Sequence, residues 1–246
     1  MNKIVWLDEI DSTNSYVEKN VSLMQHGDVV AARAQTSGRG QRGNGWEAEP
    51  GKNLTFTMLL HPKIAPIDQF SLSCVVALAV CDILREYCGV ECKVKWPNDI
   101  YTADNKKICG ILISHALMGR NISHSIVGVG ININQEKFHS DAPNPVSVFQ
   151  LTGKTHNCES LLASLSERII EESDRLISSD YRGIVHRRYM QNLWRGDKNI
   201  YPFKETSSGE YFEARVEGIE TTGHLLLRDT SDTLRRFAFK EVEWLL

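Results

Sequence analysis

The chain has 246 residues, 41% of them hydrophobic, and sets 28 Lys and Arg against 31 Asp and Glu, for a formal net charge of −3 and a pI near 6.2. That size admits one sizeable domain with a small appended one, and the charge argues against a general nucleic-acid binder while leaving room for a locally basic pocket. The start MNKIVWLDEIDSTNSYVEKN is too acidic for a secretory signal, no later segment reads as the ~18 apolar residues of a membrane span, and the six cysteines at 74, 81, 88, 92, 109 and 158 form no CxxC pair; we therefore expect a cytoplasmic protein with buried free thiols.

IVWL (4–7) reads as a short strand, and residues 11–27, DSTNSYVEKNVSLMQHG, as a helix with a polar start and a glycine stop. DVVAARAQT (28–36) is strand-like, the glycine-rich SGRGQRGNGW (37–46) follows, and NLTFTMLL (53–60) alternates into another strand, so the glycine-rich loop joins two strands. Residues 69–88 form an apolar helix between Asp68 and Gly89. VECKVKW (90–96) and KKICGILIS (106–114) read as the two strands of a hairpin around PNDIYTADN, whose Pro, Asn and Asp mark turns. SIVGVGININ (125–134) is a further strand, helices are expected over roughly 158–178 and 180–194, and short alternating runs after residue 197 predict a small β domain.

Gly38, Gly40 and Gly43 have the spacing G-x-G-x-x-G, but a dinucleotide fingerprint needs its glycines to open a helix and an acidic residue some 20 positions later. Here Asn44-Gly45 and Pro50-Gly51 lead into a strand, which argues against a Rossmann oxidoreductase. What remains is a flexible loop with Arg39 and Arg42 between glycines and Trp46 at its far end, suited to close over an anionic ligand and a base. KWPND (95–99) and NKKICG (105–110) add Lys95, Asn98, Asp99, Lys106 and Lys107, in which lysine can neutralise a carboxylate or phosphate and Asn or Asp could hold Mg²⁺ or a ribose hydroxyl. GVGININ (128–134) ends in Asn132 and Asn134, amides able to read an adenine edge, although the segment also suits a core strand packed closely through glycine.

Taken together and in this order, DSTN, AQTSGRGQRGNGW, KWPND, KKICGILI and GVGININ resemble the biotin protein ligases, over residues 8–134. The resemblance implies an α+β fold: a mixed sheet flanked by helices, related to class II aminoacyl-tRNA synthetases, over residues 1–196, and an SH3-like barrel over 197–246. It implies two-step chemistry, in which biotin and MgATP form biotinyl-5′-AMP and a lysine of a biotin carboxyl carrier domain then attacks the mixed anhydride. Carried over by position, Ser12, Thr13 and Asn14 line the biotin ureido end with Gln35; Gly38, Arg39, Gly40, Gln41 and Gly110 complete the biotin site. Lys107 and Arg39 meet the carboxylate and phosphate as the catalytic cations, with Lys106 facing solvent. Arg42, Trp46, Lys95, Asn98, Asp99 and Asn132 contact the nucleotide, Asp99 also serving magnesium. Many members carry arginine where this chain has Gln41 and Asn44, so the cationic clamp on the adenylate is reduced; members also commonly end the GILI strand with Glu, where this chain has Ser114, a departure to which the sequence assigns no consequence. The chain enters its motifs by residue 11 without a helix-turn-helix, so a repressor is not expected; a homodimer is compatible. The competing readings are a lipoate or octanoate ligase or transferase of the same architecture, and a ligand-binding module without catalysis, which would have no use for Lys107.

Overall fold

A computed structural model describes residues 2–41, 45–139 and 143–245. Its centre is a seven-stranded mixed sheet built from β1 (Ile4–Ile10), β2 (Val29–Gln35), β3 (Leu54–Leu60), β4 (Lys93–Lys95), β5 (Asp99–Tyr101), β6 (Lys107–Met118) and β7 (Asn121–Ile131), in the order β1-β2-β3-β7-β6-β5-β4. Only β1 and β2 run parallel; every other pair is antiparallel. β5 falls inside the stretch read as a turn. Asp99, Ile100 and Tyr101 pair with β4 on one side and β6 on the other, so the expected hairpin contains a third, three-residue strand that the turn chemistry of Pro97, Asn98 and Asn105 hides. β6 and β7 are also longer than expected and meet in a hairpin at Gly119, whose φ of +62° suits a residue without Cβ.

Helices α1 (Thr13–Asn20), α2 (Phe70–Cys88), α3 (Val148–Thr152), α4 (Cys158–Asp174) and α5 (Ser179–Gln191) flank the sheet. α2 stops where Gly89 turns left-handed at φ +67° and its N–H reaches back to Arg85 O at 3.2 Å. Asn157 and Ser178 cap α4 and α5 with their side chains, and α3 carries a reciprocal Ser147–Gln150 capping box. Residues 66–88 have the length and hydropathy of a membrane span (window mean 1.8), against the expectation that no segment would. The burial explains that composition: α2 packs Leu72, Val76, Val80, Ile83 and Leu84 into the same core as Leu54, Phe56 and Met58 of β3 and Val127, Val129 and Ile131 of β7.

The opposite face of the sheet positions the site. Strand side chains alternate, so Leu59, Thr57 and Thr55 of β3 and Ile126, Gly128 and Gly130 of β7 point to the α1 side, in register as Leu59↔Ile126, Thr57↔Gly128 and Thr55↔Gly130. At one end Leu59 and Ile126 pack with Val17 of α1 and Val30. Along the strands the side chains then shrink to Thr and Gly, and on β6 Gly110 lies opposite Gly130. The sheet is thus filled under the middle of α1 and hollow beyond its N-terminus.

After α5 the chain enters β8 (Tyr201–Glu205), β9 (Tyr211–Ile219), β10 (Leu225–Asp229), β11 (Leu234–Phe237) and β12 (Val242–Trp244), a five-stranded antiparallel sheet of order β11-β10-β9-β8-β12. This second sheet docks on the first: Trp96 Nε1 donates to Gly223 O at 2.9 Å, and Trp244 Nε1 donates to Trp96 O at 3.1 Å. All six cysteines are free, five of them buried, and burial raises the thiol pKa of Cys74 and Cys109.

Candidate active site

The hollow is a cavity of about 260 Å³ lined on its floor by Thr55, Gly110, Gly128 and Gly130. A Cβ on Gly130 would stand 2.6 Å from Trp46 Cζ2 and 2.7 Å from its Nε1, and one on Gly110 would stand 3.1 Å from Trp46 Cζ3. The indole therefore lies across both glycines, which is possible only because neither has a side chain. A Cβ on Gly128 would meet the Asn14 amide, 2.5 Å from Nδ2 and 2.8 Å from Cγ. The alternation of glycine in GVGI is what makes room for two polar or aromatic groups on one face of a central strand.

One end of the cavity is polar and neutral. Thr13 N and Oγ donate to Gln35 Oε1 at 2.8 and 3.2 Å, and the buried Thr57 hydroxyl donates to Asn14 Oδ1 at 2.6 Å while lying 2.8 Å from Thr13 Oγ. These bonds fix which end of each amide accepts and tie the first turn of α1 to β2 and β3. Ser12, Thr13, Asn14 and Gln35 all line the cavity, as expected from the sequence; Thr57 was not singled out, because a threonine in an alternating strand gives no signal of its own.

The other end is cationic. Lys107 begins β6, its backbone pinned by Lys107 N donating to Asn144 O and Val146 N donating to Lys107 O, and its Nζ sits 2.7 Å from Asp99 Oδ1 at the lip of the cavity. Asp99 is thus the partner that holds Lys107 in place. This sits poorly with Asp99 as a magnesium ligand: among the described residues, the one carboxylate lining the cavity is already paired with a lysine, and no group of three His, Cys, Asp or Glu side chains suited to a metal ion occurs. Lys106 is exposed and pairs with Asp104.

Four other residues singled out from the sequence lie outside the cavity lining. Lys95 does not line the cavity; its Nζ donates to Tyr101 Oη at 3.0 Å and lies 4.3 Å from the Tyr101 and 5.5 Å from the Trp194 ring centre, and burial pulls its pKa down to about 8 despite the opposing pull of Asp99. Asn132 is buried away from the cavity, its Nδ2 donating to Val146 O at 3.1 Å, and Asn134 is spent on His156, donating to its O at 2.8 Å and accepting from its N at 2.9 Å. Both amides brace the chain that follows β7; Asn134 is engaged through both its Nδ2 and its Oδ1, whereas Asn132 Oδ1 is buried without a hydrogen-bond partner. Gly38 does not line the cavity but closes the neck of the loop, where Trp46 N donates to its carbonyl at 2.9 Å and a Cβ would stand 2.5 Å from Trp46 O.

Other residues expected at the site do line the cavity. Arg39, Gly40, Gln41, Trp46, Asn98 and Gly110 line the cavity. Arg39 also pairs across the surface with Glu18 of α1 at 3.6 Å, a solvent-exposed contact of small worth that an anion in the cavity can displace. Arg42 and Asn44 lie outside the described residues. Nothing in the sequence pointed to the far wall, which the second sheet supplies through Phe239, Lys240, Val242 and Trp244. Their placement depends on tertiary docking more than a hundred residues from the floor.

A family model described as the biotin/lipoate A/B protein ligase family matches residues 6–132, more than half of the chain. The chain belongs to this family. Among the family's members, a biotin–[acetyl-CoA-carboxylase] ligase of Paracoccus denitrificans is 30% identical over 230 residues, which cover 90% of this chain and 92% of that protein. A bifunctional ligase/repressor of Salmonella typhimurium is 33% identical over 138 residues, 56% of this chain but only 43% of its own length. In fold, the chain is similar to a biotin protein ligase from Aquifex aeolicus solved in complex with biotin and ATP, with a TM-score of 0.80 at 22% identity and 99% and 98% of the two chains covered.

Proposed function

We propose that this chain activates biotin with ATP to biotinyl-5′-AMP and transfers the biotinyl group to a lysine of a biotin carboxyl carrier domain. One observation carries the reading: the Lys107 ammonium, held at 2.7 Å by Asp99, stands at one end of a glycine-floored groove whose other end is the neutral hydrogen-bonding cluster of Ser12, Thr13, Asn14 and Gln35. A ureido group has two N–H donors and one carbonyl acceptor, which suits the neutral end; the acid's carboxylate then reaches the cationic end.

In the first step a carboxylate oxygen attacks the α-phosphorus and pyrophosphate leaves. Two anions must be brought into contact, and Lys107, with Arg39 released from Glu18, supplies the positive charge that offsets their repulsion and meets the charge developing on the transferring phosphoryl group. In the second step the carrier amine attacks the acyl carbon, AMP leaves, and the ammonium proton is lost. Trp46 offers the nucleotide an aromatic face, and the wall of Phe239 and Trp244 limits access of water to the anhydride. Magnesium would enter on the triphosphate, since the described residues hold no cluster of three His, Cys, Asp or Glu side chains for it, and no step is assigned to it. The same reading takes residues 1–196 as the catalytic unit and 197–246 as the unit that completes its wall, in a cytoplasmic enzyme that is compatible with a homodimer.

The test is pyrophosphate–ATP exchange with biotin or with lipoate as the acid. Exchange that depends on biotin and not on lipoate is expected; exchange with lipoate alone would reassign the substrate, and none with either would overturn the reading.

A further inference from the structure

The polar atoms of the cavity are not all accounted for by the ends of the groove. Among the described residues, three buried side-chain atoms without a hydrogen-bond partner belong to cavity-lining residues: Asp99 Oδ1, Trp46 Nε1 and Thr55 Oγ. Asp99 has the Lys107 charge at 2.7 Å, and Trp46 lies outside the sheet, at the end of the glycine-rich loop. Thr55 is different. It sits on the central strand β3, its strand neighbours fix it in place, and it is only 7% exposed. A buried hydroxyl left without a partner costs free energy, so a hydroxyl kept at such a place is matched to something that arrives.

Its position says what arrives. Thr57, two residues along the same strand and on the same face, belongs to the neutral end through its bonds to Thr13 and Asn14, and Thr55 follows at about 7 Å, one strand repeat nearer the glycines that the Trp46 indole covers. Across the sheet it is in register with Gly130 and, through it, Gly110, where a Cβ would stand 3.5 Å from the Lys107 Nζ. An acid lying from the neutral end to Lys107 passes Thr55 with the part of its ring next to the ureido group. In biotin that part carries the thioether sulfur, a weak acceptor able to take the Thr55 proton.

We propose that Thr55 is a specificity-determining residue that reads the ring heteroatom of the acid by donating its hydroxyl proton to it. The inference rests on the biotin-activating reading above, and goes beyond it in assigning a role to a side chain that touches neither the ureido end nor the reacting carboxylate. It also states a chemical preference: an acid with an acceptor at that ring position is favoured over one with a methylene there.

The experiment measures kcat/KM for acid-dependent pyrophosphate exchange with three acids that differ at one ring atom, biotin, its oxygen analogue and its carbon analogue. Wild type, Thr55→Val and Thr55→Ser are compared. In wild type and Thr55→Ser we expect the oxygen and sulfur acids to exceed the carbon acid, the oxygen acid by about tenfold; in the isosteric Thr55→Val the three converge to within about twofold, because only the hydroxyl has gone. The ratio, not the absolute rate, is the readout, so a general loss of stability in one variant does not imitate the result. An oxygen-to-carbon ratio unchanged by Thr55→Val, or a wild type indifferent to the ring atom, would overturn the proposal while leaving biotin activation intact. Absence of exchange with all three acids in wild type would overturn both.

Discussion

Adding one methyl group to each floor glycine in turn tests the geometry of the cavity with a graded outcome. In Gly128→Ala the new Cβ would stand 2.8 Å from Asn14 Cγ, closer than carbon atoms approach, and Asn14 is not free to yield because Thr57 holds its Oδ1 at 2.6 Å. Relief requires both breaking that bond, about 1 kcal/mol, and the displacement typical of an overpacked site, about 1–3 kcal/mol. A total of about 2–4 kcal/mol corresponds to roughly 30- to 1000-fold in kcat/KM for biotin-dependent exchange. In Gly130→Ala the Cβ meets the Trp46 ring at 2.6 Å, but Trp46 sits at the end of a loop and can move, so a smaller loss, about 5- to 30-fold, is expected at about half the energetic cost. Gly110→Ala approaches Trp46 at 3.1 Å and the flexible end of Lys107 at 3.5 Å and should cost less than about fivefold. Exchange kinetics beside thermal melting of the three variants give the ranking. If Gly128→Ala were as active as Gly110→Ala, Asn14 would not be held over the floor as described.

Lys107→Ala should lower biotin-dependent exchange by ~10²–10³ while the melting temperature stays near wild type, as removal of one preorganised charge donor does; near-wild-type exchange would contradict its role. Lys95→Met should stabilise the fold by about 1–3 kcal/mol at pH 7, because burial holds the folded Lys95 pKa near 8 against ~10.4 in the unfolded chain. Between those values the unfolded chain carries the extra proton, so wild-type stability rises with pH and the advantage of Met should fade towards pH 10, as urea midpoints of both proteins at pH 7 and pH 10 would show; a gap independent of pH would mean that Lys95 is not desolvated. Gln41→Arg, at a cavity-lining position, should add a charge-assisted bond of ~1.5–3 kcal/mol to the bound adenylate and slow its release about tenfold or more in a pulse-chase, with equal off-rates as the contrary result.

Much of this was legible in the sequence, and the reasons differ from part to part. Alternation and glycine placement gave β2, β3 and β7, and the same glycines foretold a close approach on one face. The DSTN turn and Lys107, as distinct from Lys106, were picked out by the resemblance to the biotin protein ligases, since local chemistry offered only a polar helix start and a pair of neighbouring lysines. What was not legible has one cause: an amide or amine has several possible partners, and only the fold decides among them. Asn134 is spent on His156, Asn132 donates to Val146 O while its Oδ1 stays without a partner, and Lys95 is turned onto Tyr101 and Trp194. β5 was hidden because its three residues sit between strong turn signals, and the wall residues 239–244 carry no local mark of the floor they face.

That wall has a bearing on how the molecule is made. The floor of the cavity is finished when Gly130 has left the ribosome, but Phe239 and Trp244 follow more than a hundred residues later, which at ~5–20 residues per second is on the order of 5–20 seconds of synthesis. During that interval the emerging chain already holds the glycine floor, Lys107 and the DSTN turn, yet the side facing Trp96 is open to water and an anhydride formed there would be poorly protected. Closure of the cavity on that side therefore waits on the second sheet, which docks through the Trp96–Gly223 and Trp244–Trp96 bonds.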